Sequence, residues 1–90
     1  GGMVVSSKEK INSVRVQIFG EELMVKGQAS VDYIENMASL VDAMLSEVQE
    51  SSPSLPRHRV AILVALNLAS ELEKLKVNYE DLLALIDEAD

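Results

Sequence analysis

From Ala65 onward the apolar residues recur three and four apart: Ala65, Leu68, Leu72, Leu75, Tyr79, Leu82, Ile86 and Ala89. This is an a/d heptad stripe, and it predicts one long helix whose seam needs a partner helix. Upstream, the run from Val60 to Ala69 is apolar on nearly every side. A helix that is hydrophobic all round is covered all round, so this half is expected to pack under the rest of the chain and to meet another subunit. Pro56 fits the first position of the helix. No Pro or Gly follows it, which allows a single helix of ~33 residues and ~50 Å. Its second half is polar at most flanking positions, including Glu71, Glu73, Lys74, Lys76, Asn78, Glu80 and Asp81. Leu83 and Leu85 flank the distal seam and widen it, which favours more than two strands there.

The N-terminal half follows a different period. Val14, Val16 and Ile18 alternate with Arg15, Gln17 and Phe19, the pattern of a half-buried strand. Gly20-Glu21 suits a two-residue type II′ loop, with Gly at its first central position. A second strand then runs from Glu22 to Lys26, and Gly27 ends it. That loop pairs Phe19 with Glu22, Ile18 with Leu23, Val16 with Val25 and Arg15 with Lys26, and it places Val14, Val16, Ile18, Leu23 and Val25 on one face. Ser30 is an N-cap candidate and Asp32 suits the first turn of a helix. Ile34, Met37, Val41, Met44 and Val48, with Ala38 and Leu45 alongside, predict a helix over 31–50. Ser51-Ser52-Pro53-Ser54 reads as a turn.

The expected fold class is α+β. An N-terminal β-hairpin and a short helix form a small head, followed by one long C-terminal helix that forms an intermolecular coiled coil. Residues 1–11 are a loose tail in which Gly1-Gly2 before Met3 reads as a cloning scar. Residues 12–54 are the head, and residues 55–90 are the long dimerisation helix. The alternative, a folded-back bundle, is disfavoured because the first helix covers only about its own length, ~30 Å. The stripe from Leu75 on then needs another chain.

Composition narrows the function classes. Ninety residues make one domain or less. A head of half that size is marginal alone, so oligomerisation is expected to contribute stability. The net charge of −7 argues against a general nucleic-acid binder and against an anionic membrane surface. Without cysteine there is no disulfide framework and no thiolate metal site. No signal peptide or membrane-spanning run is visible, and a cytoplasmic protein is the expectation.

Candidate chemistry is sparse. There is no Gly-rich phosphate loop, metal spacing or catalytic triad, so no enzyme, cofactor, catalytic residue or metal ligand is expected. His58 has no second histidine to pair with. Asn67 lies within the apolar run, where a buried amide would set register between helices. The candidate oligomer interface is Ile62, Leu66, Leu68, Leu72, Leu75, Tyr79, Leu82 and Ile86. Arg15 opposite Lys26 places two like charges across a strand pair, which is mildly unfavourable. The pair is a candidate contact for an acidic partner on the head. The simpler reading is that both side chains splay into water or pair with Glu22 or Glu9.

Three segments in order resemble the ZapA family of bacterial cell-division proteins: Val14-Arg15-Val16-Gln17-Ile18-Phe19-Gly20 through Gly27, Ala38-Ser39-Leu40-Val41-Asp42 with Met44, and Val60 through Leu72 continuing by Leu75 to Tyr79-Glu80. The resemblance covers roughly residues 14–86. It departs at Leu23, where the family often has Tyr, and at Pro56, where Ser or Thr is usual. The resemblance implies a cytoplasmic, non-enzymatic septation protein at the mid-cell division site. It implies binding to the tubulin-like GTPase FtsZ and bundling of its filaments, by homodimers that join through the coiled coil into an antiparallel homotetramer. The alternative is a homo-oligomeric coiled-coil adaptor that recruits a different cytoplasmic partner.

Overall fold

The computed structural model describes residues 10–89, and side chains through residue 85. The expected N-terminal tail therefore lies outside the described residues except at Lys10 and Ile11. Four elements follow in order: β1 (Asn12–Ile18), β2 (Glu21–Gly27), α1 (Val31–Ser51) and α2 (Arg57–Ala89). They divide between two compact units, Gly1–Ser54 and Leu55–Asp90.

In the first unit β1 and β2 form an antiparallel hairpin. Its turn is not the expected one. Pairing closes at Ile18 opposite Glu21, so Phe19 and Gly20 form the loop. Both have positive φ, 55° and 80°, the requirement of a type I′ turn, whose twist matches that of the strands. Val16 therefore faces Leu23, Val14 faces Val25 and Arg15 faces Met24. The expected pairs Val16–Val25 and Arg15–Lys26 are corrected by this register. The slip is two residues, an even number, so the apolar face survives it.

A phenylalanine in the left-handed region costs about 1 kcal/mol. The structure shows what holds it there. Phe19 lies beyond the last strand pair, and its backbone N–H donates to Asp42 Oδ1 of α1 at 2.7 Å. This bond to a charged acceptor ties the turn to the helix. Asp42→Ala should destabilise the first unit by about 1.5–3 kcal/mol, the range for hydrogen bonds to charged groups. Asp42→Asn keeps an acceptor and should lose less. Gly20→Ala should cost about 1 kcal/mol through backbone strain alone, since an added Cβ meets nothing within 4 Å. Thermal melts should rank the losses with Asp42→Ala greatest; equal melting of parent and Asp42→Ala would show that this bond contributes nothing.

The core of this unit is Val14 and Val16 of β1 against Ile34 and Ala38 of α1, with Ile18, Val25 and Ala29 packed at its edge. Leu45 is also buried. Helix α1 packs on β1. Leu23 on the same face of β2 stays exposed. The buried stripe of α1 is Ile34, Ala38 and Leu45, rotated from the one expected. Met37 is exposed, while Val41, Met44 and Val48 are half-buried.

The caps are those that local chemistry demands. Ser30 Oγ accepts from Tyr33 N–H at 3.1 Å, and Asp32 sits in the first turn. At the other end Ser52 N–H donates to the Val48 carbonyl at 3.0 Å. Gln49 Nε2 donates to the carbonyls of Ser52 and Pro53. Asn12 Nδ2 donates to the Ala29 carbonyl at 2.8 Å, closing the base of the hairpin.

The second unit is α2, 33 residues and about 50 Å long. Pro56 stands just before the helix, one place earlier than expected. Its carbonyl accepts from the N–H groups of Arg59 and Val60 at 3.0 and 3.1 Å, so it starts the ladder without owing a donor. Among the described residues, Val60 and Val64 are the buried side chains of α2. No described helix is long and apolar enough to cross a membrane.

Candidate self-association surface

The expected all-round burial of residues 60–69 is not reached within one chain. Val60 and Val64 are buried, but Ile62, Leu63, Leu66 and Leu68 are exposed. Asn67 is exposed as well, so in the single chain water can satisfy its amide. The physical reason is geometric: a lone helix has no neighbour for its remaining faces.

Along the rest of α2 the contrast with an ordinary surface helix is sharp. Leu72, Leu75 and Tyr79 are 69, 66 and 64% exposed, and Leu82, Leu83 and Leu85 are exposed too. Contiguous apolar surface on this scale marks an association site. The Ile86 side chain lies outside the described residues.

The candidate interface residues do not form one surface. At about 100° per residue, Leu68, Leu72, Leu75, Tyr79 and Leu82 fall on one stripe. Ile62 and Leu66 fall elsewhere, Leu66 being turned about 200° from Leu68. Helix α2 therefore carries two apolar faces: a long seam, and a shorter patch near its start on the roughly opposite side. Polar pairing adds little. Glu71 and Lys74 meet at 3.5 Å, both well exposed, and such a pair contributes only a few tenths of a kcal/mol.

The hairpin residues occupy a separate place. Arg15 and Lys26 lie on the outer face of the hairpin, with Arg15 opposite Met24 and Lys26 opposite Ser13. They are diagonal neighbours rather than a direct pair. The structural contact that sequence reasoning missed is Asp42 on the hairpin turn. Its signal was a carboxylate beside Ala38 and Leu45 on the core-facing side of α1.

Among the described residues no group of three or more His, Cys, Asp or Glu side chains could hold a metal ion. Among the described residues, two open concavities lie on the second unit: one lined by Ser70, Glu73, Lys74, Val77 and Asn78, another by Leu55, His58, Arg59, Ile62 and Leu63. What the surface offers is apolar area for another helix.

Comparison with known proteins agrees with that architecture. Residues 14–89 match the family model for cell division protein ZapA. The chain is 35% identical over 75 residues to the cell division protein ZapA of Bacillus thuringiensis (strain Al Hakam), covering 83% of this chain and 84% of that one. It is 32% identical over 77 residues to the ZapA of Geobacillus sp. (strain WCH70), covering 86% and 88%. Among solved structures it resembles a ZapA mutant dimer from Geobacillus stearothermophilus, with a TM-score of 0.70 and 30% identity over 92% of this chain and 96% of that one.

Proposed function

We propose, from the premise that this chain belongs to the ZapA family of cell division proteins, that it binds FtsZ filaments and bundles them at the division ring. It acts without catalysis, in the cytoplasm at mid-cell. The observation that carries this reading is the long, uncovered apolar seam of α2. A seam of leucines at heptad spacing is satisfied by helices of other copies, and the similar Geobacillus stearothermophilus structure is that of a ZapA mutant dimer.

The mechanism follows from connectivity. The hairpin unit is joined to the start of α2. Antiparallel pairing of two seams therefore places hairpin units at both ends of the paired helices. One such unit attaches to one filament. Two units held apart attach to two filaments, and each attachment raises the effective concentration for the next. Dimers form through the patch around Ile62 and Leu66, and dimers join into tetramers through Leu68, Leu72, Leu75, Tyr79, Leu82 and Ile86.

Light scattering of FtsZ with GTP tests the assignment. Added protein should raise the scattering well above that of FtsZ alone. Unchanged scattering, together with no co-sedimentation, would favour an adaptor that uses the same seam to recruit a different partner.

A further inference from the structure

The outer face of the hairpin is not used by the fold. It carries three cross-strand pairs: Ser13–Lys26, Arg15–Met24 and Gln17–Glu22. All six side chains are exposed. Met24 is 50% exposed and stands between two cations, with Arg15 directly across and Lys26 two places along its own strand. Among the described residues no ion pair engages Arg15 or Lys26. Glu22 is the one carboxylate on this face, toward the turn.

Two like charges on diagonal positions, whose backbones stand roughly 7–8 Å apart, repel each other weakly. A carboxylate brought to either relieves that repulsion. Between them lies a flexible, polarisable side chain suited to contact with an apolar group of variable shape.

We propose that Arg15, Met24 and Lys26 form a docking patch for an acidic protein segment, in which an apolar side chain rests on Met24 and flanking carboxylates meet the two cations. Number and size select a protein segment over other polyanions. Two cations neutralise only two phosphates, far short of the 6–10 contacts of a typical DNA binder. Membrane-binding patches gather about 4–8 basic residues, and the remainder of this chain is acidic. The patch chemistry rests on the function proposed above only for who supplies the segment.

The test is an NMR titration of the full chain with a capped pentapeptide, one leucine flanked by two glutamates on each side. The largest backbone amide shifts should fall at Arg15, Met24 and Lys26. They should vanish in the Arg15→Gln, Lys26→Gln double variant and weaken in Met24→Ser. These are exposed positions, and circular dichroism should report an unchanged fold. Absent shifts, or shifts confined to the leucines of α2, overturn the proposal. Co-sedimentation with FtsZ filaments separates the two claims. Peptide binding at this face without filament binding supports the patch and removes FtsZ as its partner. Filament binding that the double variant retains in full overturns the patch as the filament contact, and the peptide titration alone then decides the patch itself.

Discussion

Leu82→Glu should convert the largest assembly into dimers. Leu82 lies on the same stripe as Leu75 and Tyr79, and all three are exposed in the single chain. The substitution should therefore leave the fold of the single chain intact. In the paired state it places a carboxylate within an apolar seam. Burying an unpaired charge costs several kcal/mol. A loss of about 4 kcal/mol weakens association roughly a thousand-fold, enough to remove tetramers at working concentrations. Sedimentation equilibrium should give twice the chain mass where the parent gives four times. A parent-like mass for the variant would show that the distal seam is not the contact between dimers.

Leu66→Glu should be more severe. Leu66 belongs to the other face, beside Ile62, in the helix half that also carries the buried Val60 and Val64. A chain of this size buries a small core, and in the proposed dimer association would supply part of its stability. A charge on the proposed dimer patch would remove that contribution. The expected product is aggregated or unfolded protein. A soluble, helical monomer that melts cooperatively would show instead that a single chain is self-sufficient.

The contrast between these variants depends on a distinction that the heptad pattern alone did not draw. Read as a sequence, Ile62, Leu66 and the leucines from Leu68 to Leu82 form one list of interface candidates, separated only by position along the helix: residues 60–69 meet another subunit and the distal seam needs a further chain. A continuous helix rotates Leu66 about 200° from Leu68, and so splits them between two faces. The seam itself was legible because its three-four spacing is a direct consequence of helix geometry. The hairpin was legible for the same kind of reason, since alternation in Val14, Val16 and Ile18 survives any even slip in register.

What the pattern could not convey was the register itself. It goes with a left-handed Phe19, whose N–H bonds to Asp42, far along the chain. A local reading of Gly20-Glu21 sees a glycine suited to a II′ turn and cannot see the distant carboxylate. The error carried into the candidate site, because the expected Arg15–Lys26 opposition rested on that register. In α1 the apolar positions span a wide arc, so periodicity alone could not distinguish the face centred on Met37 from the one centred on Ala38. Packing on β1 decided it, leaving Met37 exposed.

The central claim is that bundling requires two filament-binding ends held apart by the paired seams of α2. Pelleting of FtsZ filaments with the Leu82→Glu variant tests it most directly. High-speed pelleting reports binding and low-speed pelleting reports bundles. The variant should pellet with filaments at high speed as the parent does, and should lose most of the low-speed pellet. A low-speed pellet equal to the parent's, from a variant shown to be dimeric, would contradict the two-ended model and place bundling within a single dimer.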